Sequence, residues 1–118
     1  MFKVSLVASV MAVASMLIVP SMAIADYKSA MKLYKDAEYD TAIAEFRKNA
    51  ELGEADSQFI LGLMYSFGQG TLTNRKEGVK WYTRAAIQNH ARAQLNLGNA
   101  YRDGKGVKKD YVEAAKWF

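Results

Sequence analysis

A chain of 118 residues that is 51% apolar, carries a net charge of +4 and contains no cysteine has room for one small domain. Such a domain is held by core packing alone, without disulfides or thiolate metal sites. The single histidine argues against the common His/Cys metal centres, and charges that alternate in sign along most of the chain lack the one-sided basic face of a nucleic-acid binder.

Residues 1–25 read as an export leader. Lys3 supplies a positive charge, Val4 to Val19 carries none, and Pro20 breaks the apolar run. Ser21, Ala23 and Ala25 then place small residues at alternate positions ahead of Asp26, the pattern that a signal peptidase reads. Cleavage is expected after Ala25, with Ala23 as second choice. A membrane span needs about 20 apolar residues. This run is shorter, so the expected product has no stable membrane anchor and is periplasmic or secreted. No cysteine follows the run, which excludes a lipid-modified N-terminus. Removing residues 1–25 takes away Lys3 and no acid, leaving 15 basic against 12 acidic residues, an ordinary soluble surface.

The remainder, 26–118, divides into units of about 27–54, 55–90 and 91–118. In the first, Tyr27–Lys35 is expected to form a helix A, Asp36–Asp40 a tight connection, and Thr41–Leu52 a helix B. The next two units reveal the period. Shifted by 36 residues, Ala55–Tyr82 aligns without a gap on Ala91–Phe118, with ten identities: Ala55/Ala91, Gln58/Gln94, Leu61/Leu97, Gly62/Gly98, Tyr65/Tyr101, Gly68/Gly104, Gly70/Gly106, Glu77/Glu113, Lys80/Lys116 and Trp81/Trp117. Leu61, Gly62 and Tyr65 share one helical face. A glycine inside a helix costs about 1 kcal/mol relative to alanine. Its recurrence at Gly62 and Gly98 therefore points to a neighbouring helix too close for a Cβ, with Gly78, Ala86 and Ala114 as natural partners. Gly68-Gln69-Gly70 and Gly104-Lys105-Gly106 read as left-handed helix terminators. Asn74 and Asp110 stand where a second helix needs its N-cap, with Glu77 and Glu113 completing a capping-box pattern. The same shift maps Ala42 onto Gly78 and Ala114, and Phe46 onto Tyr82 and Phe118. The first unit fits throughout only if its loop is about five residues shorter. Trp81, Tyr82, Trp117 and Phe118, at helical spacing, are expected in the inter-helix core.

The run Ala55-x-x-Gln58-x-x-Leu61-Gly62-x-Met64-Tyr65-x-x-Gly68-x-Gly70, followed by Lys80-Trp81-Tyr82-x-x-Ala85-Ala86, resembles a Sel1-like repeat, and Ala91 to Phe118 resembles it more closely still. Tyr34 to Ala42 is similar to the tetratricopeptide-like unit that often opens such arrays. The resemblance covers 27–118 and implies an all-α fold: a short right-handed α-solenoid of antiparallel helix pairs, about three repeats, the last truncated. Two departures stand out. Thr71-Leu72-Thr73-Asn74-Arg75 is a poor copy of the family's loop, so an irregular turn is expected there. The last helix B stops at Phe118, where the preceding copy continues through Thr83–His90. Either the array is cut short, or a partner covers Trp117 and Phe118 by association through the uncapped last repeat.

Little in the sequence suggests catalysis. His90 falls in the turn between units, where a solvated or turn role is expected. The serines Ser29, Ser57 and Ser66 all lie on helix A segments, and Glu51 and Glu54 lie at helix ends, facing solvent. Gly98 to Lys105 fails as a phosphate loop, because five residues separate Gly98 from Gly104 and Gly106 replaces the required Ser/Thr. No cofactor is expected. Lys105, Lys108 and Lys109 form a basic loop, either a solvated turn or a contact for an acidic partner or anionic surface.

The resemblance implies a protein-binding role, as an adaptor or regulator with a protein or peptide partner. By analogy with the tetratricopeptide arrangement, the concave groove is lined by helix A: Asp56, Phe59, Leu63 and Ser66 from one unit, and Arg92, Leu95, Asn99 and Arg102 from the next. Alternatives are a non-functional remnant of a longer array and a β-lactam-binding or hydrolysing protein. Cysteine-rich relatives have been described as the latter, but they carry a cysteine pair per repeat that this chain lacks.

Overall fold

The protein is described by a computed structural model covering residues 21–118, with side chains from Asp26 onward. Of the leader expected over residues 1–25, residues 1–20 lie outside the described residues. Residues 21–25, described in backbone only, begin the first helix. Among the described residues every element is a helix: α1 Ser21–Lys35, α2 Tyr39–Glu51, α3 Ala55–Phe67, α4 Arg75–Ile87, α5 Ala91–Asp103 and α6 Tyr111–Trp117. The principal packing runs between consecutive helices, from α1 on α2 through to α5 on α6. That is the antiparallel A/B arrangement expected of a solenoid. No helix among the described residues is long and apolar enough to cross a membrane.

The helix ends follow from local chemistry. Gly68 and Gly104 adopt left-handed backbone, at φ 68° and 67°, and end α3 and α5. Asn74 and Asp110 cap α4 and α6 by accepting the Glu77 and Glu113 amides at 3.1 and 3.0 Å. The reciprocal half of the capping box does not form. The amides of Asn74 and Asp110 donate instead to the carbonyls of Tyr65 and Tyr101, at 2.7 and 2.8 Å. Glu77 and Glu113 pair with Lys80 and Lys116. The turn through Thr71–Arg75 is not irregular: it repeats the hydrogen bonds of the 104–110 loop. Glycine conformation and the cap set this turn, so the intervening Thr71, Leu72 and Thr73 are free to differ. The first connection is tighter than expected. Ala37, at φ 60°, reverses the chain within a few residues, and α2 begins at Tyr39.

The second glycine of each pair has a separate task. A Cβ on Gly70 would meet the Tyr39 carbonyl and Ile43, and one on Gly106 would meet the Arg75 carbonyl and Val79. Each loop therefore sits on the first turns of helix B in the preceding unit, and the two sets of contacts are again 36 residues apart. Glycine is needed for closeness as well as for positive φ. A second seam contact is repeated as faithfully: Gln58 Nε2 donates to the Ala50 carbonyl at 3.1 Å, and Gln94 Nε2 to the Ala86 carbonyl at 3.2 Å.

The core runs along the seams as one cluster that includes Ala42, Phe46, Leu61, Met64, Tyr82, Ala85, Ala93 and Leu97. Within a unit, the absent Cβ of Gly62 lets the Tyr82 ring in: an added Cβ would stand 2.6 Å from it and 3.1 Å from the Gly78 carbonyl. Gly78 in turn faces Ser66 and the Gly62 carbonyl. Gly98 repeats the arrangement with Phe118, also at 2.6 Å. Tyr82 is buried, as are Trp81 and Ala114, and Trp117 packs on the core at its edge. Phe118 departs from the core expectation at 63% exposed, although its ring lies over Gly98 of α5. Asn49 and Ser57 are buried with no hydrogen-bond partner for their side chains, where the next unit has Ala85 and Ala93.

Candidate functional site

The side chains that the repeats hold in common are engaged in structure. Ala55, Leu61, Gly62, Tyr65, Gly68, Gly70 and Trp81, with their counterparts Ala91, Leu97, Gly98, Tyr101, Gly104, Gly106 and Trp117, begin helices, fill the core, permit close approach or turn the chain. Tyr65 adds a hydroxyl that accepts from Arg47 across the first seam. Arg84 lies over the Trp81 ring, 4.5 Å from its centroid.

The face presented by the A helices carries two clefts. One, between α1, α3 and α5, is lined by Tyr27, Met31, Asp56, Phe59, Ile60, His90, Ala91 and Arg92. The other, between the end of α3, α4 and α5, is lined by Ser66, Phe67, Arg75, Val79, Tyr82, Asn96, Asn99, Ala100, Asp103 and Lys105. Of the eight expected groove residues, Asp56, Phe59 and Arg92 line the first cleft and Ser66 and Asn99 the second. Leu63, Leu95 and Arg102 line neither. Phe59 reaches the cleft with only a small part of its surface, since it is a core residue at 6% exposed. Its ring stacks on His90 at 4.8 Å and lies 6.0 Å from Tyr82. Leu63 packs against the core, while Leu95 stands in solvent at 53% exposed. The open face of α5 follows Arg92, Asn96, Asn99 and Asp103, which shifts the expected stripe by one position at Leu95 and at Arg102.

Two residues have roles that the sequence did not disclose. Glu54 does not face solvent: its carboxylate is buried at the N-terminus of α3 and accepts the amides of Asp56 at 3.0 Å and Ser57 at 2.6 Å. His90, 36 residues later, does the same for α5. Its Nδ1 accepts the Ala93 amide at 3.2 Å, which places the ring proton on Nε2, 2.9 Å from Asp56 Oδ1. His90 is thus a cap and a strut between two A helices. Neither residue type is a favoured N-cap, so the equivalence is hidden in the sequence.

The electrostatics of the face are modest. The Arg102 guanidinium, hydrogen-bonded to Asp103 at 2.9 Å, holds that carboxyl below its usual range. Burial pushes the Tyr82 phenol above its usual value, with the Ser66 and Asn96 side chains opposing. The phenol stays protonated in the folded state at a pH where the unfolded chain has begun to ionise, so stability is intact below about pH 10 and declines as pH rises above it. Thermal melts from pH 8 to 11 should show a steeper alkaline fall for wild type than for Tyr82→Phe. Equal slopes would remove Tyr82 as the cause. Among the described residues no cluster of three or more metal-ligating side chains occurs.

The Sel1 repeat profile matches residues 55–90 and 91–118. The chain is 40% identical over 86 residues to rat "Protein sel-1 homolog 2", covering 70% of this chain and 12% of the relative. It is 30% identical over 105 residues to the "Exopolysaccharide production negative regulator" of Rhizobium meliloti, covering 78% of this chain and 39% of that protein. The chain thus spans about an eighth of the first relative's length and well under half of the second's. The crystal structure of a protective antigen of uropathogenic Escherichia coli, described as displaying an SLR fold, superposes with a TM-score of 0.76. Its sequence is 34% identical, and the match covers 80% of this chain and 21% of that one.

Proposed function

The chain belongs to the Sel1 repeat family, and from that premise we propose that it is an exported interaction module, an adaptor or regulator that holds a partner protein on its helical repeat surface. The observation that carries this reading is the division of labour among its side chains. The glycines, apolar residues and glutamines common to the repeats are engaged in packing and turns, while the shared Glu77–Lys80 and Glu113–Lys116 pairs stand at the surface. The open A-helix face between α3 and α5 presents the Asn99 carboxamide and the exposed Phe67 ring in one cleft, where Ser66 and Asn96 are already turned onto the Tyr82 hydroxyl. A carboxamide carries both donors and an acceptor, the set that an extended backbone offers in return. The regulatory name of the Rhizobium meliloti relative accords with an adaptor role. Export rests on the order of charge, apolar run and small residues ahead of Asp26.

Affinity purification with the full chain from the exported fraction should recover a partner that Arg92→Glu combined with Asn99→Leu no longer retains. Undiminished retention by that double variant, with its helicity unchanged, would overturn the assignment to the A-helix face.

A further inference from the structure

Six of the 15 basic residues in 26–118 lie at one seam: Arg75, Lys76 and Lys80 on α4, and Lys105, Lys108 and Lys109 on the loop leading to α6. They meet because Gly106 rests on the Arg75 carbonyl, which lays this loop against the first two turns of α4. Three acids stand among them, and each is engaged. Glu77 is 3.5 Å from Lys80, Asp103 pairs with Arg102 at 2.9 Å, and Asp110 accepts the Glu113 amide at 3.0 Å. Elsewhere in 26–118 nine basic residues balance nine acidic ones. The whole positive excess of this region is therefore concentrated at a single seam.

The preceding seam serves as an internal control. Gly70 rests on the Tyr39 carbonyl in the same way, yet the surrounding residues are Glu38, Asp40, Thr71, Leu72 and Thr73. The same packing is made there without one cation, so the fold does not require the lysines. Arg75 and Lys76, in the first turn of α4, even oppose it, because they face the positive end of the helix dipole.

The basic seam is concave. Val79, Tyr101 and Val107 form an apolar floor and Lys76, Lys80, Lys108 and Lys109 the rim, while Asp110, the one acid in the lining, is turned onto the Glu113 amide. Lys109 is steadied over the Tyr111 ring, 5.0 Å from its centroid. We propose that this seam binds an acidic segment of a partner protein, with one apolar side chain on the floor and carboxylates on either side against the lysine rim. The proposal rests on the reading of the protein as an interaction module and specifies its partner's chemistry. Charge complementarity selects the sign, and the recessed apolar floor selects a polypeptide over a membrane, whose flat surface would leave the floor unfilled.

A fluorescein-labelled Asp-Glu-Leu-Glu-Asp peptide, titrated into the full chain and followed by anisotropy, tests it. Saturable binding that weakens with added salt is expected. Lys76→Glu with Lys108→Glu should weaken it by about tenfold or more. Lys28→Glu with Lys32→Glu, the same charge change on α1, should weaken it by less than about twofold. Replacing the central leucine with glycine should also weaken it. Equal losses in the two double variants, or no saturable binding, would overturn the proposal. So would binding to phosphatidylglycerol-containing vesicles, lost in Lys76→Glu with Lys108→Glu, without binding of the peptide. A partner held on the A-helix face and indifferent to Lys76→Glu with Lys108→Glu would overturn this proposal and leave the module reading standing.

Discussion

Gly62→Val is expected to lower the melting temperature by roughly 12–24 °C, or to prevent folding altogether. Its Cβ would stand 2.6 Å from the Tyr82 ring and 3.1 Å from the Gly78 carbonyl. Tyr82 cannot retreat, because it is 5% exposed and packed against Phe59. Overpacking of this kind costs about 3 kcal/mol, and in a domain of this size each kcal/mol moves the midpoint by about 4–8 °C. Gly98→Val provides the comparison. The first obstacle there is equally close, at 2.6 Å, but it is the Phe118 ring, which is largely in solvent and can turn aside. Its cost should fall to about 1 kcal/mol or less. Circular dichroism melts of the two variants decide the matter. Equal losses would show that helix crowding at Gly62 is not what the glycine relieves.

Phe46→Ala should cost about 3–5 kcal/mol, a large share of a net stability that for small domains is about 5–15 kcal/mol. The ring is fully buried and receives the Tyr27 and Tyr34 rings edge-on, at centroid distances of 6.1 and 6.2 Å. It is the main attachment of α1 to the stack, since the principal packing of α1 is on α2 alone. Loss of the ring should therefore act locally as well as globally. Amides of α1 and α2 should exchange much faster, while those of α4 and α5 keep most of their protection. A urea midpoint shift worth less than about 1.5 kcal/mol would mean that the pocket collapses around the smaller side chain.

Much of this architecture was legible in the sequence because its cause is periodic. A shift of 36 residues carries Gly62 onto Gly98 and Asn74 onto Asp110, and those positions set the close helix crossings and the caps. What remained hidden lies across the seams. An alignment of units shows which positions are equivalent, but not which position of one unit touches which position of the next. The contact of Gly70 with Tyr39, the Gln58 bond to Ala50, and the gathering of Lys76 beside Lys108 were invisible for that reason. The capping roles of Glu54 and His90 are hidden for another: the backbone needs an acceptor there, and two unlike side chains supply it. The position of Phe59 suggests an outward ring, whereas the aromatic stack with His90 and Tyr82 draws most of it into the core and leaves only an edge in the cleft.

Because the seam contacts recur at the same interval, as in Gln58 to Ala50 and Gln94 to Ala86, a duplicated copy of residues 55–90 inserted after His90 would find matching surfaces above and below. The length of such a protein is thus open to change by tandem duplication, with no new interface to invent. Recognition residues in one copy can then drift while the glycines and glutamines that join the copies stay as they are.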